Sequence, residues 1–404
     1  MTREIRNPPV IAIACGGTGG HLFPGVAVAE QLQKSGCAVA LLVSPKEVDR
    51  QAVRTAPKTF EIVTLPAVGL ERGRNIAFVR CFARSCGAAK KYFKKNRPQA
   101  VLAMGGFTSA PPVLAARFLG AKTFLHESNS IPGRANRWLS WIVNRAFIGF
   151  PQAAEHLHNR NAVVTGTPVR AQFQPRDPSA CRAALGMDPA RPVVLVMGGS
   201  QGAGALNTLV IESLRAISGR APDLQWLHLA GVRDADKVGQ AYAGQKLKAA
   251  VHPFLGEMEL ALGAATVAVS RAGASSLAEL AAMRVPAILV PFPAATDNHQ
   301  FYNARAFDET GAARLLEQKN ATPETLTQSL LALLENATSR AQMQTALSRW
   351  HAPDAAERIA ENMLRTIESC NAVDESGERA RPRTQGPAPQ RNHFVEPNQN
   401  SIAA

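Results

Sequence analysis

Two short apolar runs, residues 10–14 and 193–197, each give way to a glycine-rich loop and then to a helical pattern. The loops read Gly-Gly-Thr-Gly-Gly-His over 16–21 and Gly-Gly-Ser-Gln-Gly-Ala-Gly-Ala-Leu-Asn over 198–207. A strand feeding a glycine loop and then a helix aims backbone N–H groups and a positive helix end at one point, which suits phosphate or diphosphate. A single such loop could be no more than a tight turn. Two of them, opening the two halves of a 404-residue chain, predict two nucleotide-binding-like domains facing across a cleft.

The rest of the chain has the same rhythm. Strand candidates fall at 10–14, 38–44, 61–65, 100–104, 122–125, 146–148 and 162–164, then at 193–197, 225–229, 249–251, 266–269, 287–290 and 313–315. Helical patterns separate them, so the expected class is α/β with parallel sheets. The expected divisions are an N-terminal domain over 8–168, a linker over 169–192 and a C-terminal domain over 193–350. A helix over 351–370 is expected to pack back toward the first domain, ahead of a polar, Pro-rich, disordered tail over 371–404.

Neither loop completes a dinucleotide fingerprint. Gly17-x-Gly19 is followed by Leu22 where a third glycine is needed, and the second strand runs into Ser44-Pro-Lys46 with no carboxylate for a ribose. The 198–207 loop also lacks the third glycine, and no GxxxxGK[ST] occurs. The two failed fingerprints argue against a nicotinamide dehydrogenase.

Composition narrows the setting. With 46% hydrophobic and 19% charged residues, the chain reads as a globular enzyme. No run of 18 apolar residues suggests a transmembrane helix, and the first residues show no apolar signal region. Six scattered cysteines form no CxxC pair, so neither a zinc site nor a disulfide framework is expected and the cytosol is the expected compartment. The net charge of +14 is lopsided: residues 1–170 hold 23 Lys and Arg against 8 Asp and Glu, and the rest 22 against 23. A basic first half calls for an anionic partner: nucleic acid, membrane surface or phosphorylated substrate.

The loops belong to a longer series of motifs. GGTGGHLFPGVAVAEQL, MGGFTSAPPVLAA (104–116), HESNSIPGRANRWL (126–139), TGTPVR (165–170), GGSQGAGALN, SRAGASSLAELAA (270–282) and VPFPAATDNHQFYNA (290–304) occur in order. Together they resemble the MurG family, the peptidoglycan N-acetylglucosaminyltransferases of GT-B type, from about residue 8 to 365. The resemblance implies two Rossmann-like domains facing across a cleft, and inverting transfer of GlcNAc from UDP-GlcNAc to the C4 hydroxyl of lipid I, giving lipid II for peptidoglycan. It also implies a peripheral enzyme at the cytoplasmic face of the inner membrane. Its partners would be UDP-GlcNAc, lipid I, an anionic membrane surface and other cell-wall and division proteins, with no nucleic acid and no cofactor. A related GT-B enzyme with another nucleotide sugar or lipid acceptor is the alternative, and an inactive membrane-surface scaffold the non-enzymatic one.

Family positions carried over onto this sequence give candidate residues. Ala274, Ser275, Ser276, Leu277, Ala278 and Glu279 match a donor-binding helix start, where the glutamate grips the ribose and the N–H groups meet the diphosphate. Without a ligand, Ser276 and Glu279 read as a capping box. Arg271 could offset diphosphate charge or join an ion pair. Leu255 matches a main-chain contact to uracil, Ser200 a nucleotide contact (or a cap for the helix near Gly204) and Arg170 an arginine near the nucleotide. Asn129 and Gln300 match amides that bond sugar hydroxyls, offering donor and acceptor together. Here His299 precedes Gln300, unlike the double glutamine of some relatives.

Thr18, Gly19 and Gly20 face the diphosphate or acceptor in this reading. His21 takes the acceptor hydroxyl proton as general base, or only caps its helix or bonds the acceptor diphosphate. A helix N-terminus disfavours imidazolium, which suits a base. The DxD at Asp234 and Asp236 reads as a helix start; leaving-group charge is assigned to helix N-termini, with no metal. Ile76, Phe78, Val79 and Phe82, followed by Lys90, Lys91, Lys94 and Lys95, read as a membrane-contact helix, or as an amphipathic helix with a solvated basic face.

Overall fold

Strand order explains why the glycine loops matter. In a computed structural model describing residues 8–17, 19–45, 59–66, 75–199 and 202–376, thirteen strands form two wholly parallel sheets. The first holds β1 (Val10–Ala14), β2 (Ala38–Val43), β3 (Glu61–Thr64), β4 (Ala100–Ala103), β5 (Lys122–Glu127), β6 (Arg145–Ile148) and β7 (Ala162–Val164), in the order β3-β2-β1-β4-β5-β6-β7. The second holds β8 (Val193–Met197), β9 (Gln225–Leu229), β10 (Ala249–His252), β11 (Val267–Ser270), β12 (Ala287–Leu289) and β13 (Arg314–Leu315), in the order β10-β9-β8-β11-β12-β13. In each sheet the winding direction reverses beside the first strand, between β1 and β4 and between β8 and β11. A crevice opens at the carboxyl ends of such strands, and ligands of doubly wound sheets bind there. Both glycine loops leave from that point.

The helices are α1 (Gly19–Lys34), α2 (Asn75–Asn96), α3 (Ala110–Phe118), α4 (Arg134–Leu139), α5 (Pro178–Ala184), α6 (Gly204–Arg220) and α7 (Ala235–Gly244). They continue with α8 (Met258–Ala264), α9 (Ala274–Met283), α10 (His299–Glu309), α11 (Pro323–Glu335), α12 (Ala337–Trp350) and α13 (Ala355–Ser376). Alternation along β1 sets the layers, because successive side chains of a strand point to opposite faces. Ile11 and Ile13 enter a core with Leu22 and Val26 of α1 and with Ile359 and Met363 of α13. Ala12 and Ala14 face the other way, toward Phe93 of α2, Val113 of α3 and Leu139 of α4. Each fully buried Ile or Leu contributes about 1.5–3 kcal/mol. A third core fills the second sheet around Val194, Val196, Trp226 and Val269.

Residues up to Ile367 make one unit, and 368–376 continue α13 beyond the expected end of the helix at 370. Of the expected tail, 377–404 lie outside the described residues. Among the described residues, no helix is long and apolar enough to cross a membrane. The expected 122–125 strand runs two residues further, so His126 and Glu127 are held in β5.

Candidate active site

Two helix N-termini, one from each half, meet across the cleft. Pro24 lies inside α1 and has no N–H to give to the carbonyl four residues back, which is Gly20. That carbonyl is taken instead from the other half: Ser275 Oγ, in the first turn of α9, donates to Gly20 O at 2.8 Å. The two positive helix ends are therefore directly apposed. No side chain caps α9, whose N-cap is Gly273, nor α6, whose N-cap is Ala203. The capping box expected of Ser276 and Glu279 is thus not formed, because the helix starts earlier and Ser276 is already its third residue. First-turn N–H groups left without a side-chain cap are what an anionic ligand would satisfy. Thr18 and Ser200 lie outside the described residues.

His21 is the third residue of α1. Its ring lies on Gly105 and Gly106, which follow β4 with φ of 118° and 75°. A Cβ on Gly105 would sit 2.9 Å from His21 Nε2, and one on Gly106 would sit 3.2 Å from Cε1, so glycine makes room for the imidazole. Thr108 Oγ1 donates to Gly16 O and Ser109 Oγ to Ala14 O, fastening the loop after β4 to the loop after β1. Behind His21, the fully buried His126 bonds Gly166 O through Nε2 at 3.1 Å. Burial lowers its pKa to about 4, with the charge of His21 a lesser cause.

Arg170 is packed at the base of the cleft, 4.3 Å from the Phe23 ring centroid and 5.0 Å from that of Phe173. Its Nε is buried with no hydrogen-bond partner. It acts on Glu279 of α9: desolvation pushes that carboxyl up to about 7, and Arg170 pulls the other way by favouring the ionised form. Among the described residues Arg271 joins no ion pair. Its guanidinium bonds the carbonyls of Val290 and Pro291 and Gln318 Oε1, holding the turn after β12. Gln300, at the start of α10, accepts from Ala272 N and Phe292 N, so any ligand bond it makes must be donated by its Nε2. Leu255 follows β10, half-buried against the third core, where only its main chain could face a ligand.

Asn129 is held more firmly than a free sugar contact would be. Its backbone N and Nδ2 both donate to Glu127 Oε1, and its Oδ1 accepts from Asn303 Nδ2 of the other half at 3.0 Å. The other Glu127 oxygen accepts from Gly133 N and Asn136 Nδ2. Sequence reasoning passed over Asn303 and Asn136, although both stand inside quoted motifs. Asn303 is one helical turn beyond Gln300 on α10, the spacing that places two side chains on one helix face. Asp297, which pairs with Arg134 and Arg137 across the halves, left no sequence signal beyond its loop.

Among the described residues no three His, Cys, Asp or Glu side chains gather in a metal-holding group. Asp234 is the N-cap of α7 and accepts from Asn207 Nδ2 at 2.9 Å, while Asp236 lies in the first turn. On α2, Ile76 and Val79 are exposed by 78% and 63%, as are Lys90 and Lys91. Phe78 and Phe82 turn inward instead: Phe78 meets the Phe107 ring edge-on, and Phe82 packs on the core below. Both rings are half-buried, so of the four apolar positions Ile76 and Val79 alone stand fully in the open.

Comparison with known proteins agrees with this geometry. Residues 11–148 match the glycosyltransferase family 28 N-terminal domain and residues 193–359 the family 28 C-terminal domain, which defines the class: a family 28 glycosyltransferase. Among curated relatives, the UDP-N-acetylglucosamine–N-acetylmuramyl-(pentapeptide) pyrophosphoryl-undecaprenol N-acetylglucosamine transferase of Xanthomonas euvesicatoria is 41% identical, over 88% of this chain and 80% of its own. The enzyme of that name from Nostoc punctiforme is 35% identical over 90% of this chain and 99% of its own. The crystal structure of Acinetobacter baumannii MurG superposes with a TM-score of 0.68 at 28% identity, covering 89% of this chain and 99% of that one. This chain belongs to the MurG family.

Proposed function

We propose that this chain performs the reaction its relatives are named for: it transfers N-acetylglucosamine from UDP-GlcNAc to undecaprenyl-pyrophosphoryl-MurNAc-pentapeptide, lipid I, and so forms lipid II in peptidoglycan synthesis. The observation that carries the reading is the apposition of the starts of α1 and α9 at Gly20 and Ser275, with His21 one residue away. The donor binds on the C-terminal half, its diphosphate at the uncapped start of α9 and its ribose hydroxyls on Glu279. Arg170 and the two helix ends stabilise the negative charge that grows on UDP as the bond from the anomeric carbon to the phosphate oxygen breaks. The acceptor's C4 hydroxyl oxygen attacks that carbon from the opposite face, and His21 takes its proton, so the configuration inverts.

The acceptor is membrane-anchored, and α2 supplies a surface to meet it. Its exposed Ile76 and Val79 lie at the end where Phe78 meets Phe107 of the loop after β4, beside the cleft. Lys90, Lys91, Lys94 and Lys95 continue the exposed face toward the other end. Trp138 and Trp141 are also exposed, on the same side of the first sheet, and amphipathic indoles settle at membrane interfaces. The test of the reaction is mass spectrometry of a lipid I analogue incubated with a panel of UDP- and TDP-sugars. One added N-acetylhexosamine from UDP-GlcNAc alone is expected; transfer from TDP-glucose and not UDP-GlcNAc would sink the reading.

A further inference from the structure

Asn303 is fully buried and has both ends of its carboxamide filled. Its Oδ1 accepts from the backbone N and the Oγ of Ser130, each at 2.9 Å. Its Nδ2 donates to Asn129 Oδ1 at 3.0 Å and to Ala272 O at 3.2 Å. Two donor hydrogens and two acceptor sites are all that an asparagine side chain possesses. Three of the four bonds cross from the C-terminal to the N-terminal half, into the loop after β5. The fourth returns to Ala272, whose N–H is taken by Gln300 and which directly precedes Gly273, the N-cap of α9.

The bonds continue without a gap on the far side. Asn129 passes to Glu127 Oε1, and Glu127 Oε2 to Asn136 Nδ2, which also donates to His126 O. Asn136 lies beside Gly105 and the His21 ring. Parting the halves would exchange three buried bonds at Asn303 for bonds to water, and the modest net worth of each intramolecular bond favours the closed arrangement. The geometry points to Asn303 as a positioning residue that couples the two substrates, so that a donor held at the start of α9 fixes the loop over 127–133 and raises affinity for the acceptor. This coupling rests on the donor and acceptor assignments made above. The element with two states is the closure of the halves around Asn303, and coupling is read as a ratio of affinities that must be the same in both directions.

The experiment measures calorimetric affinities of the whole chain for UDP and for a soluble lipid I analogue, each alone and with the other present. The unaltered chain is expected to bind the analogue roughly 5- to 150-fold tighter when UDP is bound, the usual range of such couplings. Asn303→Asp keeps an oxygen for Ser130 but turns an acceptor toward Asn129 Oδ1 and Ala272 O. Its coupling ratio is expected to fall to within twofold of unity while UDP alone still binds. A role in stability alone would leave the ratio intact in whatever fraction folds. Hydrogen exchange on the unaltered chain needs no variant: UDP alone should slow the amides of Asn129, Ser130 and Gly133, on the half that does not hold it. Unchanged exchange there with UDP bound, or full coupling in Asn303→Asp, overturns the proposal. Failure of the unaltered chain to bind UDP would overturn the donor-site reading, and the coupling with it.

Discussion

The duties proposed for His21 and Glu279 differ, and each predicts a distinct loss. His21 belongs to the first half and touches the loop after β4, whereas the proposed donor site lies on the second half. His21→Ala is therefore expected to lower kcat on the order of 10²–10⁴-fold, the usual worth of a general base, with UDP affinity nearly unchanged. Steady-state kinetics with both substrates varied check it; a raised acceptor KM with kcat kept would reduce His21 to a binding group. Glu279 predicts a pH dependence. Burial raises its carboxyl from 4.5 to about 7, so the unliganded fold loses stability as pH rises through that interval, where the group must ionise in place. Ribose hydroxyls donate to the ionised form, so binding strengthens as pH rises toward about 7 and levels off above it. Uridine is the right probe, because a terminal phosphate titrates near ~6 and would confuse the curve. Its affinity is expected to fall up to about tenfold per pH unit below the Glu279 transition, and Glu279→Gln should flatten the profile. These residues were visible in the sequence only as family motifs. Their surroundings were not: the two glycines under His21 stand about 85 positions after it, and Arg170, whose charge acts on Glu279, stands about 110 before it.

Among the elements, α1 shows how a local defect becomes a contact. Proline inside a helix removes a hydrogen bond, and here the carbonyl that Pro24 leaves open is the one that Ser275 reaches from the other half. Pro24→Ala would return a donor to Gly20 O and compete with Ser275, while Ser275→Ala would remove the crossing bond. Each is expected to lower kcat/KM by about 2- to 12-fold, the worth of one ordinary hydrogen bond at 0.5–1.5 kcal/mol, and the double variant should be no worse than the larger single effect. Fully additive losses in a double-mutant cycle would show that the two act separately. The strand pattern was readable because buried parallel strands are short apolar runs between turn residues, and every expected strand is present. Their ends were less readable: β5 extends to Glu127 because its last residues are polar yet buried, which hydrophobicity alone cannot mark. The capping pattern Ser276-x-x-Glu279 misled for a related reason. A local motif competes with the strand–loop–helix geometry, and the turn after β11 had already placed the N-cap at Gly273.

For the whole molecule, charge is the property that the two domains do not share. Residues 1–170 hold 23 basic against 8 acidic side chains and the remainder is nearly balanced, so attraction to the proposed anionic surface would act on one domain and would orient the enzyme as well as hold it. The exposed face of α2 combines both forces needed: apolar Ile76 and Val79 at the cleft end, and lysines spaced along the turns that follow. From Ile76 to Lys91 is roughly 22 Å at 1.5 Å per residue, so both ends touch a membrane only if α2 lies along its surface. That orientation would bring the loop after β4 down to where a lipid-linked acceptor would enter. Neutralising Lys90, Lys91, Lys94 and Lys95 to Gln should weaken binding to anionic vesicles by about 1 kcal/mol per lysine at the surface, with activity on a soluble acceptor analogue retained. Ile76→Ser with Val79→Ser should weaken binding to neutral and anionic vesicles alike, because the buried apolar area does not depend on lipid charge. Co-sedimentation across a salt series separates the two. Binding that ignores both salt and the four lysines would mean that α2 merely presents a solvated basic face and that another surface of the first domain docks.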